Sequence, residues 1–107
     1  MSLNNIGMRA YANAVEKGFY ETPPSIAERL CLIHSEVSEA LEAWRDNDLA
    51  PRTRIDGKPE GLPSELADIV IRVADMATYL GIDLDAVIEA KMAYNATRPY
   101  KHGRVNG

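Results

Sequence analysis

The sequence has little cysteine, little histidine and no long apolar run. Its single cysteine, Cys31, rules out an internal disulfide. Of its two histidines, His102 has no second His or Cys near it at the spacing of a zinc site, and His34 lies toward the apolar stripe of a predicted helix, where a packed residue is expected. No apolar run approaches the roughly 20 residues that span a bilayer, and the first ten residues lack a signal-peptide core. We therefore expect a cytoplasmic protein with no membrane partner.

An excess of positive charge is also missing. The chain has 12 Lys and Arg against 16 Asp and Glu, a formal net charge of -4, which argues against a nucleic-acid binder that works through a basic surface. Its 107 residues, 46% hydrophobic and 26% charged, predict one globular domain over residues 1–107. A chain this short buries only a modest core, so we also expect it to oligomerise.

Helical periodicity dominates the chain, and β signals are almost absent. Ser25 with Glu28 forms a capping-box pattern, Pro63 suits a first helical turn, and Asp83 can cap a further helix. The sequence therefore predicts an all-α, four-helix, bundle-like subunit that forms a tight oligomer. The predicted helices cover residues 4–17, 26–46, 63–80 and 84–95, and residues 47–61, rich in Pro and Gly, predict a long loop.

Two pairs of acids recur at the same helical spacing. Glu36 and Glu39 stand one turn apart in the second helix, beside its apolar stripe, and Glu65 and Asp68 repeat the spacing in the third. If these helices pack as antiparallel neighbours, the four carboxylates converge and repel one another. A divalent cation with hard oxygen ligands removes that repulsion, which favours Mg²⁺, with Mn²⁺ possible, and phosphate chemistry. The alternative is that both pairs are ordinary solvated surface.

The third helix leaves only a narrow polar strip on an otherwise uncharged surface. The strip must face water or an internal polar site, and it consists of Glu65, Asp68, Arg72, Asp75 and Tyr79.

Cationic and polar residues follow in the fourth helix and the tail. Lys91 and Asn95 continue the direction of an apolar stripe, which is unusual unless they meet a polar group. Positive charge near an acidic metal site suits a polyphosphate, and a solvated basic tail is the alternative. The candidates for substrate contact are Lys91, Asn95, Arg98, Tyr100, Lys101 and His102.

The pattern Glu36-x-x-Glu39, a gap of 25 residues, then Glu65-x-x-Asp68 resembles the signature of the MazG-like, all-α nucleoside triphosphate pyrophosphohydrolases. The stretch ELADIVIRVADMATYLGIDLDAVIEAKMAYNATRPYKHG resembles the third helix, fourth helix and tail of that family, and the likeness covers roughly residues 25 to 103. One departure is Arg72, which stands where relatives often carry a tyrosine.

The resemblance implies a nucleotide house-cleaning enzyme. It would hydrolyse the α–β anhydride of a (deoxy)nucleoside triphosphate, giving the monophosphate and pyrophosphate. The four acids would hold Mg²⁺. Our own hypothesis adds that one of the four, Glu39, accepts a proton from the attacking water. The six residues of the fourth helix and tail would contact the substrate. Members form tight dimers or dimers of dimers, for which the small side chains of Ala67, Ile71, Ala74 and Thr78 suit an interface.

Other readings remain open at this point. A phosphoribosyl-ATP pyrophosphohydrolase shares the helical carboxylate design, and a non-catalytic helical interaction module would carry the same acids on its surface. A di-iron bundle is disfavoured because the Glu-x-x-His step of such sites is missing. The sequence also does not decide which residues contact the nucleobase. The candidates are Asn13, Lys17, Phe19 and Trp44.

Overall fold

A computed structural model describes residues 2–100 of the chain, which are mostly helical. All four predicted helices are present, with ends within a few residues of those expected, and a two-stranded sheet is added to them. In the described residues, no helix is long and apolar enough to cross a membrane. The elements are α1 (Leu3–Glu16), α2 (Ile26–Arg45), β1 (Arg52–Thr53), β2 (Pro59–Glu60), α3 (Leu62–Tyr79) and α4 (Leu84–Ala96).

Side-chain caps begin three of these helices. The hydroxyl of Ser25 accepts a hydrogen bond from the Glu28 amide at 3.1 Å, and the Glu28 carboxylate accepts one in return from the Ser25 amide. Asp83 accepts from the Ala86 amide at 3.1 Å, and Ser2 accepts from an amide of the first turn of α1. Both predicted caps, Ser25 and Asp83, are therefore confirmed. Such caps satisfy amides that have no partner inside the helix.

Residues 47–61 are not wholly loop, which corrects the prediction for this segment. Arg52 and Thr53 pair antiparallel with Glu60 and Pro59. The guanidinium of Arg52 lies 2.9 Å from a carboxylate oxygen of Asp48 and 2.8 Å from one of Glu60. The sequence shows no alternation of apolar and polar residues here, because each strand has only two residues. Charged side chains link the two strands.

Helix α3 lies between α1 and α2 and packs against both. The closest approach is at Gly7 of α1, where an added Cβ would meet the carbonyl oxygen of Ala74 and the hydroxyl of Thr78. Ala74 is 1% exposed as a result. The small residues at 74 and 78, expected to suit an oligomer interface, are therefore used inside the chain to let α1 and α3 meet.

Helix α4 is attached through its first turn. The carboxylate of Asp85 accepts hydrogen bonds from the amides of Leu3 and Asn4 at 3.0 and 3.2 Å. In return, the Asn4 side chain accepts from the Asp85 amide at 3.1 Å and donates to Asp83 at 2.7 Å. The bond from Asn4 holds the pKa of Asp83 below its usual range. The first turns of α1 and α4 thus cap each other, while the rest of α4 stays exposed apart from the half-buried Ile88.

The four helices do not close around a common core, which corrects the expectation of a bundle. Among the described residues the buried apolar side chains are those of Ala40, Ala74 and Ala77. The chain exposes 8066 Å², against about 5,900 Å² expected for a compact protein of its mass. Its radius of gyration is 16.6 Å, against about 13 Å for a compact domain of this length. Much apolar surface therefore has no partner inside the chain.

Candidate metal and nucleotide site

Three carboxylates from α2 and α3 converge. One oxygen from each of Glu36, Glu65 and Asp68 lies within 4.8 Å of the others. Glu36 is buried, Glu65 is half-buried in the first turn of α3, and Asp68 is exposed one turn later. The structure thus brings residues from both acid pairs to one place between α2 and α3.

Glu39 lies at the edge of this carboxylate cluster. A hydrogen bond to the Glu36 side chain is the largest cause that raises the pKa of Glu39, and the charge of Glu36 adds to it. The charge of Glu65 raises the pKa of Glu39 further, while Arg72 acts in the opposite direction. The fourth acid therefore belongs to the same electrostatic unit as the other three.

Arg72 supplies a cation from within the chain. Its Nε donates to Oε1 of Glu36 at 2.7 Å, and the side chain of Glu36 is only 11% exposed there. One guanidinium cannot balance four carboxylates, so the cluster keeps a negative charge. Arg72 therefore occupies one oxygen of the most buried acid.

The geometry and donor set of the cluster fit a hard divalent cation. Ligands at about 2.1 Å around Mg²⁺ lie about 3 Å apart when adjacent and about 4 Å apart when opposite. Oxygens within 4.8 Å of one another reach those separations through small side-chain movements. Mg²⁺ uses few protein carboxylates and leaves positions for water and phosphate oxygens. Glu36, Glu65 and Asp68 could hold the ion in that way.

A cavity of about 530 Å³ adjoins the carboxylate cluster between α1, α2 and α3. Asp68 and Arg72 line it and also belong to the cluster region, so the two are continuous. Its size lies within the usual range for small-molecule sites. Of the base-pocket candidates, Asn13 and Phe19 line this cavity, while Lys17 and Trp44 are not among its lining residues.

A polar and aromatic cluster forms the far wall of the cavity. The guanidinium of Arg29, a residue that is 7% exposed, lies 4.8 Å from the ring centre of Tyr20 and 4.1 Å from that of Tyr79. Its Nη1 donates to the Tyr20 hydroxyl at 2.9 Å, and that hydroxyl donates to Asp75 at 3.1 Å. Burial is the largest cause that raises the pKa of Tyr20. Sequence reasoning missed this cluster, although the polar strip of α3 already contained Asp75 and Tyr79.

The predicted substrate residues lie apart from the carboxylates. Lys91, Asn95 and Arg98 are exposed on or just after α4. The cations of Lys91 and Arg98 lie 6.0 and 5.9 Å from the ring centre of Tyr94. Helix α4 packs on α1 and not beside the carboxylate cluster, so the structure does not bring these three residues to it. Tyr100 is exposed beyond the helix, and the two remaining residues of the set, Lys101 and His102, lie outside the described residues.

Comparison with known proteins gives one partial likeness. The chain is 45% identical over 38 residues to a dATP/dGTP diphosphohydrolase of Cyanophage S-2L. The alignment covers 36% of this chain and 36% of that protein, so it spans about a third of the relative's length. No family model matches the chain, and no solved structure matches it. The likeness supports a coarse link to nucleotide pyrophosphohydrolases and suggests a hydrolase.

Proposed function

We propose that the protein hydrolyses (deoxy)nucleoside triphosphates to the monophosphate and pyrophosphate in a Mg²⁺-dependent reaction, and so removes unwanted nucleotides from the cytoplasmic pool. The observation that carries the proposal is the convergence of Glu36, Glu65 and Asp68 within 4.8 Å beside a cavity of nucleotide size. The partial relative supports it, since it is named a dATP/dGTP diphosphohydrolase.

The residues of the cluster take separate parts in this reaction. When bound, Mg²⁺ (or Mn²⁺) neutralises triphosphate oxygens and acidifies a bound water. Glu36, Glu65 and Asp68 would hold the ion. Glu39 would accept the proton of the attacking water, because it is the acid at the edge of the cluster and is not one of the three that would hold the ion. The resulting attack breaks the α–β anhydride, and pyrophosphate leaves.

We further propose that the chain forms a homodimer or homotetramer. The apolar residues of α2 recur at steps of three or four residues and so form one stripe along the helix, which can pair with another helix. The stripe consists of Ile26, Leu30, Ile33, Val37, Leu41 and Trp44. It is largely exposed in the chain: Trp44 at its end is 61% exposed. The chain exposes about 2,000 Å² more surface than a compact chain of its mass. This excess is comparable in size to the area that a stable homodimer buries. A second copy that covers the stripe would also let Lys91, Asn95 and Arg98 of one subunit contact the phosphates bound at another.

Pyrophosphate release tests the proposal directly. The protein should release pyrophosphate from at least one member of a dNTP panel with Mg²⁺ present and none with EDTA. Glu36→Ala should lower kcat by at least a hundredfold, because it removes a buried ligand of the ion.

Glu42→Ala is the matched control, since Glu42 is exposed on the same helix and should leave turnover unchanged. If no triphosphate is turned over, and calorimetry detects no binding of Mg²⁺ with a non-hydrolysable nucleotide, the chain is a non-catalytic helical module instead.

A further inference from the structure

The far end of the cavity carries an acceptor for a nucleobase. Asp68 and Asp75 both line the cavity, seven residues apart on the same face of α3. Two helical turns separate them by about 10 Å along the axis. A nucleotide with its phosphates at the carboxylate cluster would therefore extend along α3, with its base toward Asp75.

Hydrogen-bond directions around Asp75 are fixed by Arg29. An arginine only donates, so the Tyr20 oxygen accepts from Nη1 of Arg29 at 2.9 Å. The hydroxyl hydrogen of Tyr20 must then point to Oδ1 of Asp75, at 3.1 Å. Oδ2 of Asp75 accepts no hydrogen bond from the described residues. Since an ionised carboxylate only accepts, the wall presents an acceptor to the cavity.

Other residues that line the cavity suit a flat ring. Phe19, 69% exposed, lines the cavity together with Asn13. An exposed aromatic ring beside a cavity is a stacking surface for a base, and the acceptor of Asp75 would then meet the edge of that base. A carboxylate oxygen has two lone pairs, so Oδ2 of Asp75 can accept hydrogen bonds from two adjacent N–H donors of one base. Guanine offers such an edge, whereas thymine flanks its single N–H with two carbonyl acceptors.

We infer that Asp75 is a specificity-determining residue and that the preferred substrate is a guanine nucleotide. The inference rests on the proposed function and deepens it. Tyr20 and Arg29 are positioning residues, because Tyr20, itself held by Arg29, occupies one oxygen of Asp75 and leaves the other for the base.

Paired substrates isolate the contact. Inosine lacks the 2-amino group of guanine and otherwise keeps the same ring. We expect wild-type kcat/KM for dGTP to exceed that for dITP by about tenfold, as one well-placed base contact provides. Asp75→Asn should bring the two values within about twofold, mainly through the KM for dGTP. The hydroxyl of Tyr20 should bind the amide oxygen of Asn, which leaves the amide NH₂, a donor, to face the base.

Control variants distinguish a failure of the guanine inference from a failure of the proposed function. Glu42→Gln, on an exposed face of α2, should keep the wild-type dGTP preference, and Tyr20→Phe should lower it by loosening Asp75 without removing the carboxylate. Turnover of dITP by Asp75→Asn and an unchanged circular dichroism spectrum would show that this variant folds. Equal wild-type kcat/KM for dGTP and dITP, or a ratio unchanged in Asp75→Asn, would overturn the guanine inference and leave hydrolysis standing. No turnover of any triphosphate would overturn both.

Discussion

Replacing Gly7 by alanine tests the contact that holds α1 against α3. An added Cβ would meet the carbonyl oxygen of Ala74, and would lie 2.9 Å from its carbonyl carbon. These are backbone atoms inside α3 and cannot rotate away. The hydroxyl of Thr78 also stands in the way. The substitution therefore forces the two helices apart over the wall of the cavity.

Two opposing effects set the magnitude. Alanine is favoured over glycine in a helix by about 1 kcal/mol. Overpacking a close contact costs about 1–3 kcal/mol and sometimes more, and a clash with backbone belongs at the upper end of that range. We therefore expect Gly7→Ala to lower the free energy of unfolding by about 2 kcal/mol, which corresponds to a fall in Tm of roughly 10 °C.

Thermal unfolding followed by circular dichroism measures this effect. Ala12→Gly, at an exposed position of the same helix, is the control for propensity alone and should cost about 1 kcal/mol. Adding Thr78→Ala to Gly7→Ala should recover only part of the loss, because the clash with the backbone of Ala74 remains. A Tm that rises in Gly7→Ala would show that helix propensity outweighs the contact, and would refute this account of the packing.

Two further predictions concern the carboxylate cluster. Arg72→Gln should bind Mg²⁺ several-fold more tightly than wild type by calorimetry, because the guanidinium holds an oxygen of Glu36 that the ion would otherwise take; unchanged or weaker binding would contradict that competition. The pKa of Glu39 is raised by Glu36, so Glu39 gains its proton at a higher pH than an ordinary glutamate. The affinity for Mg²⁺ should therefore fall as the pH drops through that raised pKa, and near this pH the binding of Mg²⁺ should release a proton. Glu39→Gln should remove this pH dependence from the calorimetric profile. A profile identical to that of wild type would contradict the assignment.

The helices could be predicted from the sequence because their signals are local. Ser25 and Asp83 lie next to the amides that they cap, and Gly18 and Gly81 follow α1 and α3 with positive φ angles of 84° and 71°, which glycine adopts without strain. The pairing of β1 with β2 was not predicted, because it depends on ion pairs of Arg52 with residues at both ends of segment 47–61. Hydrophobic periodicity does not reveal such pairs.

The burial of α2 was predicted less well, for a physical reason. Periodicity shows that a helix has an apolar face, but not whether the covering surface belongs to the same chain. Leu30 and Val37 fall on the predicted stripe and are exposed, since α2 packs on α3 through Glu36 and Ala40, which are buried instead.

The candidate site also has a part that the sequence predicts and a part that it does not. The spacing of Glu65 and Asp68 on one face of a helix follows from the sequence, as does their opportunity to meet an acid of α2. The hydrogen bonds from Arg29 to Tyr20 and from Tyr20 to Asp75 join three separate segments of the chain, and such contacts leave no local pattern in the sequence. The sequence could therefore indicate the carboxylates but not the polar wall of the cavity.

A crystal structure of the protein with Mg²⁺ and a non-hydrolysable deoxynucleoside triphosphate would test the central claim most directly. The account predicts an ion about 2.1 Å from oxygens of Glu36, Glu65 and Asp68 that also contacts the phosphates, with the base in the cavity beside Asp75. An ion and triphosphate bound elsewhere, with the cluster still closed on Arg72, would contradict it.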